Sequence, residues 1–193
     1  MVKAVIFDMN GVLIMDAGPL SVRAEKKFGV PTDEFYPLLK ATLHKIRQPG
    51  ADSLALWRPV LKKLKTNEDD FFNFWFEGES LNDELVDYIR GLKEKGIKIM
   101  ILSNNFPERT QNYRRLYPEL FLLVNEQYFS WETGNIKPDP KAWTQIIDKH
   151  DFLPEEYVYF DDNEENLVAA PGLGIKAHRY AGVDDTKKFI ENI

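Results

Sequence analysis

The sequence contains no cysteine and no long hydrophobic run. Without cysteine, the chain can form neither a disulfide bond nor a thiolate metal site, which fits a reducing compartment. No stretch approaches the ~18 consecutive apolar residues of a membrane-spanning helix, and the apolar run at residues 4–7 is too short for a secretory signal. We therefore expect a cytoplasmic protein with no membrane partner.

Basic residues are fewer than acidic ones: the chain has 25 Lys and Arg against 31 Asp and Glu, a net charge of −6. A nucleic-acid-binding surface needs a stripe of basic residues, so we expect no nucleic-acid partner. Since the overall field is negative, local positive charge or a metal must hold any anionic ligand. None of His44, His150 and His178 has a partner at zinc-ligand spacing, which argues against a zinc site.

The apolar pattern predicts an α/β fold. Three short apolar runs, at residues 3–7, 97–102 and 157–160, are typical of strands buried on both faces, and residues 175–180 are a fourth candidate. Helical patterns lie between them at residues 81–94, 107–116 and 140–149. Strands that alternate with helices indicate a parallel sheet with right-handed crossovers.

Residues 16–80 interrupt this alternation, because they contain no convincing strand. Their pattern predicts three or four helices, at about residues 19–28, 33–46, 53–64 and 67–76. The segment is rich in bulky aromatic residues, which we expect to form the core of a small helical module. We therefore predict a core domain made of residues 1–15 and 81–193, with a helical cap domain at 16–80 inserted into it.

Polar clusters follow each of the three main predicted strands. Asp8 ends the first apolar run, Ser103 follows the second, and Asp161 and Asp162 follow the third. Ligands of open parallel sheets bind outside the carboxyl ends of the strands, so these side chains should converge. Each cluster alone is most simply a turn or a helix cap, and the prediction depends on their ordered combination.

The combined residues indicate chemistry on a phosphate group. Asp8 can act as a nucleophile or a metal ligand. Together with Asp161 and Asp162 it supplies the hard oxygen ligands that suit Mg²⁺. Ser103 offers a hydroxyl and a backbone donor to a phosphoryl oxygen. Lys137 lies just before a proline, which would fix one positive charge near these side chains. The charge of a lysine together with that of a divalent metal would balance the crowded carboxylates.

Four motifs in this order resemble those of the haloacid dehalogenase (HAD) superfamily, and the resemblance covers the whole chain. They are Phe7-Asp8-Met9-Asn10-Gly11-Val12, Leu102-Ser103-Asn104-Asn105, Ile136-Lys137-Pro138 and Tyr159-Phe160-Asp161-Asp162-Asn163. The resemblance implies a Rossmann-like doubly wound parallel sheet with a small inserted all-helical cap. Within the superfamily the chain is most similar to small phosphatases such as bacterial glucose-1-phosphate phosphatase and the phosphatase domain of soluble epoxide hydrolase.

The resemblance also implies roles for individual residues. Asp8 would attack phosphorus and become a phosphoaspartate. Ser103 and the backbone amides of Met9, Asn10 and Asn104 would bind the transferred phosphoryl group, and Lys137 would bridge that group and Asp8. Mg²⁺ would be held by Asp8, the backbone carbonyl of Asn10 and Asp162, with Asp161 as a close neighbour in the metal site.

Asn10 departs from the family pattern. Family phosphatases have an aspartate here, which protonates the leaving group and then activates water. An amide cannot carry a proton in and out at ordinary pH, and general acid–base catalysis is worth ~10²–10⁴ in rate, so turnover should be impaired while binding is kept. The residue is either an engineered replacement, a natural one with slow or differently assisted hydrolysis, or a sign of another activity.

The leading hypothesis is a Mg²⁺-dependent phosphatase of small phosphorylated metabolites. The alternatives are a catalytically silent phosphometabolite-binding protein on the same fold and, with less support, a 2-haloacid dehalogenase, which has little use for the acids at 161 and 162. Substrate choice would lie in the cap, and the candidates for substrate contact are Arg23, His44, Arg47, Trp57 and Arg58. We expect a compact substrate and a monomer or homodimer.

Overall fold

The computed structural model describes all 193 residues. Its centre is a five-stranded sheet in which every neighbouring pair is parallel, and a two-stranded antiparallel ribbon lies apart from it. The strands are β1 (Ala4–Phe7), β2 (Ile14–Met15), β3 (Ser80–Leu81), β4 (Lys98–Ser103), β5 (Glu126–Phe129), β6 (Tyr157–Asp161) and β7 (Lys176–Arg179). The helices are α1 (Leu20–Phe28), α2 (Thr32–Ile46), α3 (Ser53–Leu64), α4 (Glu68–Phe76), α5 (Asp83–Glu94), α6 (Pro107–Leu116), α7 (Pro118–Leu123), α8 (Ser130–Thr133), α9 (Lys141–Ile147), α10 (Glu164–Leu167), α11 (Ala169–Gly172) and α12 (Val183–Glu191), with a 3₁₀ turn at Pro154–Glu156.

The strand order of the large sheet is β5-β4-β1-β6-β7. The chain starts in the middle with β1, continues outward through β4 and β5, and then returns to the other side of β1 for β6 and β7. This reversal opens a crevice outside the carboxyl ends of the central strands. The predicted α/β class and the doubly wound parallel sheet are confirmed.

The central strands are buried on both faces, as their apolar runs predict. In β1, Val5 and Phe7 pack in a cluster with α5 and α12, while Ala4 and Ile6 pack in a second cluster with α9. The ring of Phe7 stacks on that of Phe160 in β6, with 5.5 Å between centroids. Burial of each large apolar side chain contributes ~1.5–3 kcal/mol, so the strand ends rest on a firmly packed sheet.

Helices α1–α4 form an inserted all-helical unit between β2 and β3. Trp57 is fully buried at its centre and contacts the rings of Phe71, Phe72 and Trp75. The prediction that the aromatics form a helical core is therefore confirmed. Phe106, which precedes α6, packs against Trp57 and Trp75, so this cluster also joins the insertion to the sheet domain.

Helices α3, α4 and α5 each begin with a side-chain cap. The side chains of Asp52, Asn67 and Asn82 each accept a hydrogen bond from a backbone N–H in the first turn of α3, α4 and α5. Such caps satisfy N–H groups that have no partner within the helix. The observed bounds of these three helices lie within two residues of the predicted ones.

The sequence did not indicate several elements. β5 is an edge strand in which only Tyr128 and Phe129 are buried, which is too short a pattern to recognise. β2 and β3 have two residues each, and Ile14 pairs with Leu81 across them. Because this ribbon joins the two ends of the helical insertion, it fixes where the insertion leaves the sheet domain. Helices α7, α8, α10, α11 and α12 were also not predicted.

Candidate active site at the carboxyl edge of the sheet

The polar side chains at the ends of β1, β4 and β6 lie together. Asp8 directly follows β1, while Ser103 and Asp161 are the last residues of β4 and β6. Oxygens of Asp8, Asp161 and Asp162 all lie within 4.8 Å of one another. The predicted convergence of these residues is thus observed, and it follows from the parallel register of three neighbouring strands.

Lys137 is a buried cation between two of these carboxylates. Its Nζ lies 2.8 Å from Asp8 Oδ1 and 2.6 Å from Asp161 Oδ2, and it donates a third hydrogen bond of 2.9 Å to the carbonyl of Leu102. The backbone of Lys137 is held by Asn104, whose side chain accepts from Lys137 N–H at 2.9 Å and donates to Lys137 O at 2.8 Å. The lysine is therefore fixed at both ends.

Asp161 is saturated with donors from the protein. Its Oδ1 accepts hydrogen bonds from the backbone N–H of Asn163 (2.9 Å) and from Asn166 Nδ2 (3.1 Å), and its Oδ2 accepts from Lys137 and from the hydroxyl of Tyr159. With both oxygens occupied and the residue fully buried, Asp161 is suited to orient Lys137 and the loop after β6.

Asp162, by contrast, is open to the cavity, and no neighbouring residue donates a hydrogen bond to its carboxylate. Partial loss of solvation raises its pKa to about 6, with the charges of Asp8 and Asp161 adding to the effect. Burial likewise raises the pKa of Asp8, against the opposing charge of Lys137. Three carboxylates thus face one lysine, and the excess negative charge favours a cation.

The donor set fits a hard divalent cation such as Mg²⁺. Asp8 and Asp162 supply carboxylate oxygens, and the backbone carbonyl of Asn10, at the same strand end, accepts no hydrogen bond within the protein. Oxygen donors of this kind are those that Mg²⁺ prefers. Because the oxygens of Asp161 already have partners, it fits better beside the ion than among its direct ligands.

Gly11 permits the close approach of Asp162 to the loop after β1. Its φ of +85° lies in the left-handed region, and a Cβ atom built on it would overlap the Asp162 carboxylate. Any other residue at this position would strain the backbone and also displace Asp162. The glycine after Asn10 is thus required by both the turn and the acidic cluster.

Asn10 is held in a partly buried network of hydrogen bonds by both ends of its amide. Its Oδ1 accepts from Asn105 Nδ2 at 3.3 Å, and its Nδ2 donates to the hydroxyl of Tyr113 at 2.6 Å. Tyr113 in turn donates to Glu79 Oε2 at 2.7 Å, and Glu79 forms an ion pair with Arg109. Residues from the first strand loop, the end of the helical insertion and α6 are thereby tied together.

Donors and acceptors alternate without conflict along this network. Asn105 Oδ1 accepts from the backbone N–H of Phe106, which leaves Asn105 Nδ2 to face Asn10. Burial raises the pKa of Tyr113, so its hydroxyl keeps the single proton that it gives to Glu79. An amide at position 10 therefore satisfies all of its neighbours, whereas a carboxylate would compete with Glu79 for that proton.

The other predicted phosphate-binding residues lie at the same strand ends. Ser103 and Asn104 line a cavity of about 510 Å³ above Asp8, and the hydroxyl of Ser103 makes no hydrogen bond within the protein. Met9 differs, because its side chain is fully buried in the hydrophobic core. Only the backbone of Met9 is available to a ligand, as the family resemblance implies.

Of the five substrate-contact candidates in the helical insertion, two line the cavity and three do not. His44 and Arg47 face it from α2. Arg23 is instead structural, since its guanidinium donates to the carbonyls of three residues at the end of α4. Trp57 is buried in the aromatic cluster and Arg58 is exposed, so neither lies at the site.

Sequence reasoning missed the residues that surround Asn10. Glu79, Arg109 and Tyr113 carry no local motif, and they are brought to Asn10 only by the packing of α6 against the insertion. The spacing of Arg109 and Tyr113, four residues apart on α6, was the one available signal, since it places both on the same helix face.

No helix is both long and apolar enough to cross a bilayer.

The fold and the sequence are similar to those of known enzymes. A HAD-family enzyme from Bacteroides thetaiotaomicron, solved with magnesium and inorganic phosphate, superposes with a TM-score of 0.81 at 19% identity, covering 98% of this chain and 100% of that one. The two share a fold. The chain is also 28% identical over 212 aligned positions to a phosphorylated carbohydrates phosphatase from Thermotoga maritima, covering 98% of this chain and 90% of the relative. Identity to bifunctional epoxide hydrolase 2 from Rattus norvegicus is 24% over 110 positions, 55% of this chain and 20% of that protein.

The family profile of haloacid dehalogenase-like hydrolases matches residues 2–174. This match spans most of the chain, and the sheet, the inserted helices and the cluster of acids with one lysine agree with it. The protein belongs to the haloacid dehalogenase-like hydrolase family, so the resemblance found from the four motifs is confirmed.

Proposed function

We propose that the chain is a Mg²⁺-dependent phosphatase of small phosphorylated metabolites, which acts through a phosphoaspartate at Asp8 and is slowed by Asn10. The observation that carries the proposal is the buried Lys137, which bridges Asp8 and Asp161 beside the open carboxylate of Asp162. The names of two similar proteins support it: a phosphorylated carbohydrates phosphatase, and an enzyme crystallised with magnesium and phosphate.

In the proposed first step, a carboxylate oxygen of Asp8 attacks phosphorus as the bond to the ester oxygen breaks. Lys137 offers positive charge to the phosphoryl group, and Ser103 and backbone N–H groups of the strand loops offer hydrogen bonds to its oxygens. Asp8, Asp162 and the carbonyl of Asn10 would hold a Mg²⁺ ion, whose charge would further neutralise that of the phosphoryl group. The small cavity admits a compact ester rather than a macromolecule.

Both steps then need a proton transfer that Asn10 does not provide. The departing alkoxide must take up a proton, and the water that later attacks the phosphoaspartate must lose one. Both amide ends of Asn10 are engaged by Asn105 and Tyr113, and an amide has no proton to exchange at neutral pH. We infer that esters with poor leaving groups react slowly and that the phosphoaspartate is hydrolysed slowly.

The satisfied network around Asn10 is also what favours the alternative of a catalytically silent phosphometabolite-binding protein. In that case phosphate ligands stabilise the fold, and no turnover appears even when Asn10 is replaced by aspartate.

We also propose that residues 16–80 form the cap domain, which would shape the ligand cavity.

We test the proposal by phosphate release from p-nitrophenyl phosphate and a panel of sugar phosphates, with Mg²⁺ and with chelator, for the protein as it stands and for Asn10→Asp. We expect turnover that needs Mg²⁺ and that Asp162→Asn abolishes, because this carboxylate is free of protein donors. Glu165→Gln, which removes a charge at the rim of the same cavity, should leave turnover within about threefold. Absence of Mg²⁺-dependent turnover in both forms would refute the proposal.

A further inference from the structure

One face of α2 forms the side of the cavity opposite the strand ends, which we call its roof. The side chains with which this face lines the cavity include basic groups and no carboxylate. The six α2-side residues that line the cavity recur at helical spacing: Tyr36, Leu39, Lys40, Leu43, His44 and Arg47. The acids of the cavity lie on the opposite side: Asp8 and Asp162 are on the loops after β1 and β6, and Glu165 is at the rim, in α10. The floor therefore has its own lysine and cation-binding acids, and the roof has basic groups without counter-charges.

Arg47, at the end of α2, has no partner in the protein. Its guanidinium makes no hydrogen bond or ion pair, and its buried Nε is unsatisfied. Burial and the nearby charge of Arg109 lower its pKa to about 10. Leaving a charged donor group desolvated and unpaired is unfavourable, so a ligand acceptor at this point would gain the hydrogen bonds that the protein does not supply.

Arg109 lines the same cavity from α6, and only part of its guanidinium group is paired within the protein. One side of its guanidinium pairs with Glu79, which is almost fully buried, and this pair fixes its direction. Its Nε is buried without a hydrogen-bond partner. Two guanidinium groups from different elements thus border one cavity, one fixed by Glu79 and the other free.

We propose that Arg47 and Arg109 bind a second anionic group of the substrate, on the α2 and α6 side of the cavity that also contains Asp8. The inference rests on the proposed phosphatase function and narrows its substrate to compact phosphate monoesters that carry a second phosphate or a carboxylate. Guanidinium groups bind both anions through paired hydrogen bonds. The cavity of about 510 Å³ has room for such a molecule.

The test compares matched ligands that differ only in the second anion. Ethyl phosphate against phosphoglycolate tests a carboxylate, and glucose 1-phosphate against glucose 1,6-bisphosphate tests a phosphate. Dissociation constants are measured by calorimetry with Mg²⁺ and the Asn10 protein. Charge-assisted hydrogen bonds are worth ~1.5–3 kcal/mol, so in at least one pair the ligand with two anions should bind at least about tenfold more tightly.

Arg47→Gln should remove this preference while changing affinity for the single-anion ligand by less than about threefold, and Arg47→Lys should restore part of it. Lys45→Gln changes an exposed lysine of α2 that does not line the cavity; it is the control and should keep the preference. Three outcomes overturn the inference: no preference in the parent protein, equal weakening of both ligands by Arg47→Gln, or an equal loss in Lys45→Gln. Because affinity is read without turnover, these outcomes are distinct from a failure of Asn10→Asp to release phosphate.

Discussion

Replacing Asn10 with aspartate is expected to raise kcat for alkyl phosphate esters by about 10²–10⁴-fold, the usual contribution of general acid–base catalysis. The backbone at this position already fits the site, so the substitution adds only the missing proton carrier. The network supports this role, because the Tyr113 hydroxyl has one proton and gives it to Glu79. The new carboxyl group can therefore donate a hydrogen bond to the oxygen of Tyr113 while it is protonated, and this contact favours its protonated form. The measurement is steady-state phosphate release at saturating Mg²⁺.

Leaving-group dependence provides an internal control for this prediction. p-Nitrophenolate departs without a proton, so the first step should gain much less from Asn10→Asp than it does with an alkyl phosphate. The ratio of the two single-turnover rates separates leaving-group protonation from a general change in binding. A gain below about threefold with alkyl esters, in a folded and Mg²⁺-binding variant, would contradict the assigned role of position 10.

Lys137→Met is expected to destabilise the protein by about 3–5 kcal/mol, because it leaves buried carboxylates without their counter-charge. Lys137 is only 3% exposed and bridges Asp8 and Asp161. The measurement is urea unfolding in chelator, which keeps added metal from masking the loss. Turnover in Mg²⁺ should also fall to background, since the phosphoryl group loses its fixed positive charge.

Two further variants show whether the loss comes from charge. Lys141→Met changes an exposed lysine at the start of α9 and should have little effect on unfolding. Adding Asp161→Asn to Lys137→Met removes one of the unpaired charges and should recover part of the stability, while activity stays lost. A loss below about 1 kcal/mol for Lys137→Met would mean that the buried pair is not what holds the strand ends together.

The sheet and the acids at its edge were predictable because both depend on local signals. The runs that became β1, β4 and β6 are predominantly apolar, as strands buried on both faces require, and a polar residue ends each strand or directly follows it. The rule that ligands bind at the carboxyl ends of parallel strands then brings Asp8, Ser103 and Asp161 together without any knowledge of distances.

The surroundings of Asn10 and the cavity roof were not predictable, because they depend on how two units pack. Tyr113 is 103 residues from Asn10 in sequence, and no periodicity links them. The orientation of α2 decides that His44 and Arg47 face the cavity, whereas Arg23 binds carbonyl groups at the end of α4. The preference for Asp162 over Asp161 as a cation ligand came only from the family resemblance, without a physical reason. The hydrogen bonds that saturate Asp161 provide that reason.

Trapping the covalent intermediate tests the central claim most directly. The Asn10 protein is mixed with Mg²⁺ and p-nitrophenyl phosphate, quenched in acid, and analysed by intact mass and peptide mapping. Because formation needs no proton donor with this leaving group while breakdown lacks a base, we predict a burst of p-nitrophenolate and one phosphoryl group on Asp8. It should be absent from Asp8→Asn and short-lived in Asn10→Asp. Phosphate release with no phosphoryl group on the chain, or a phosphoryl group on another residue, would contradict the account.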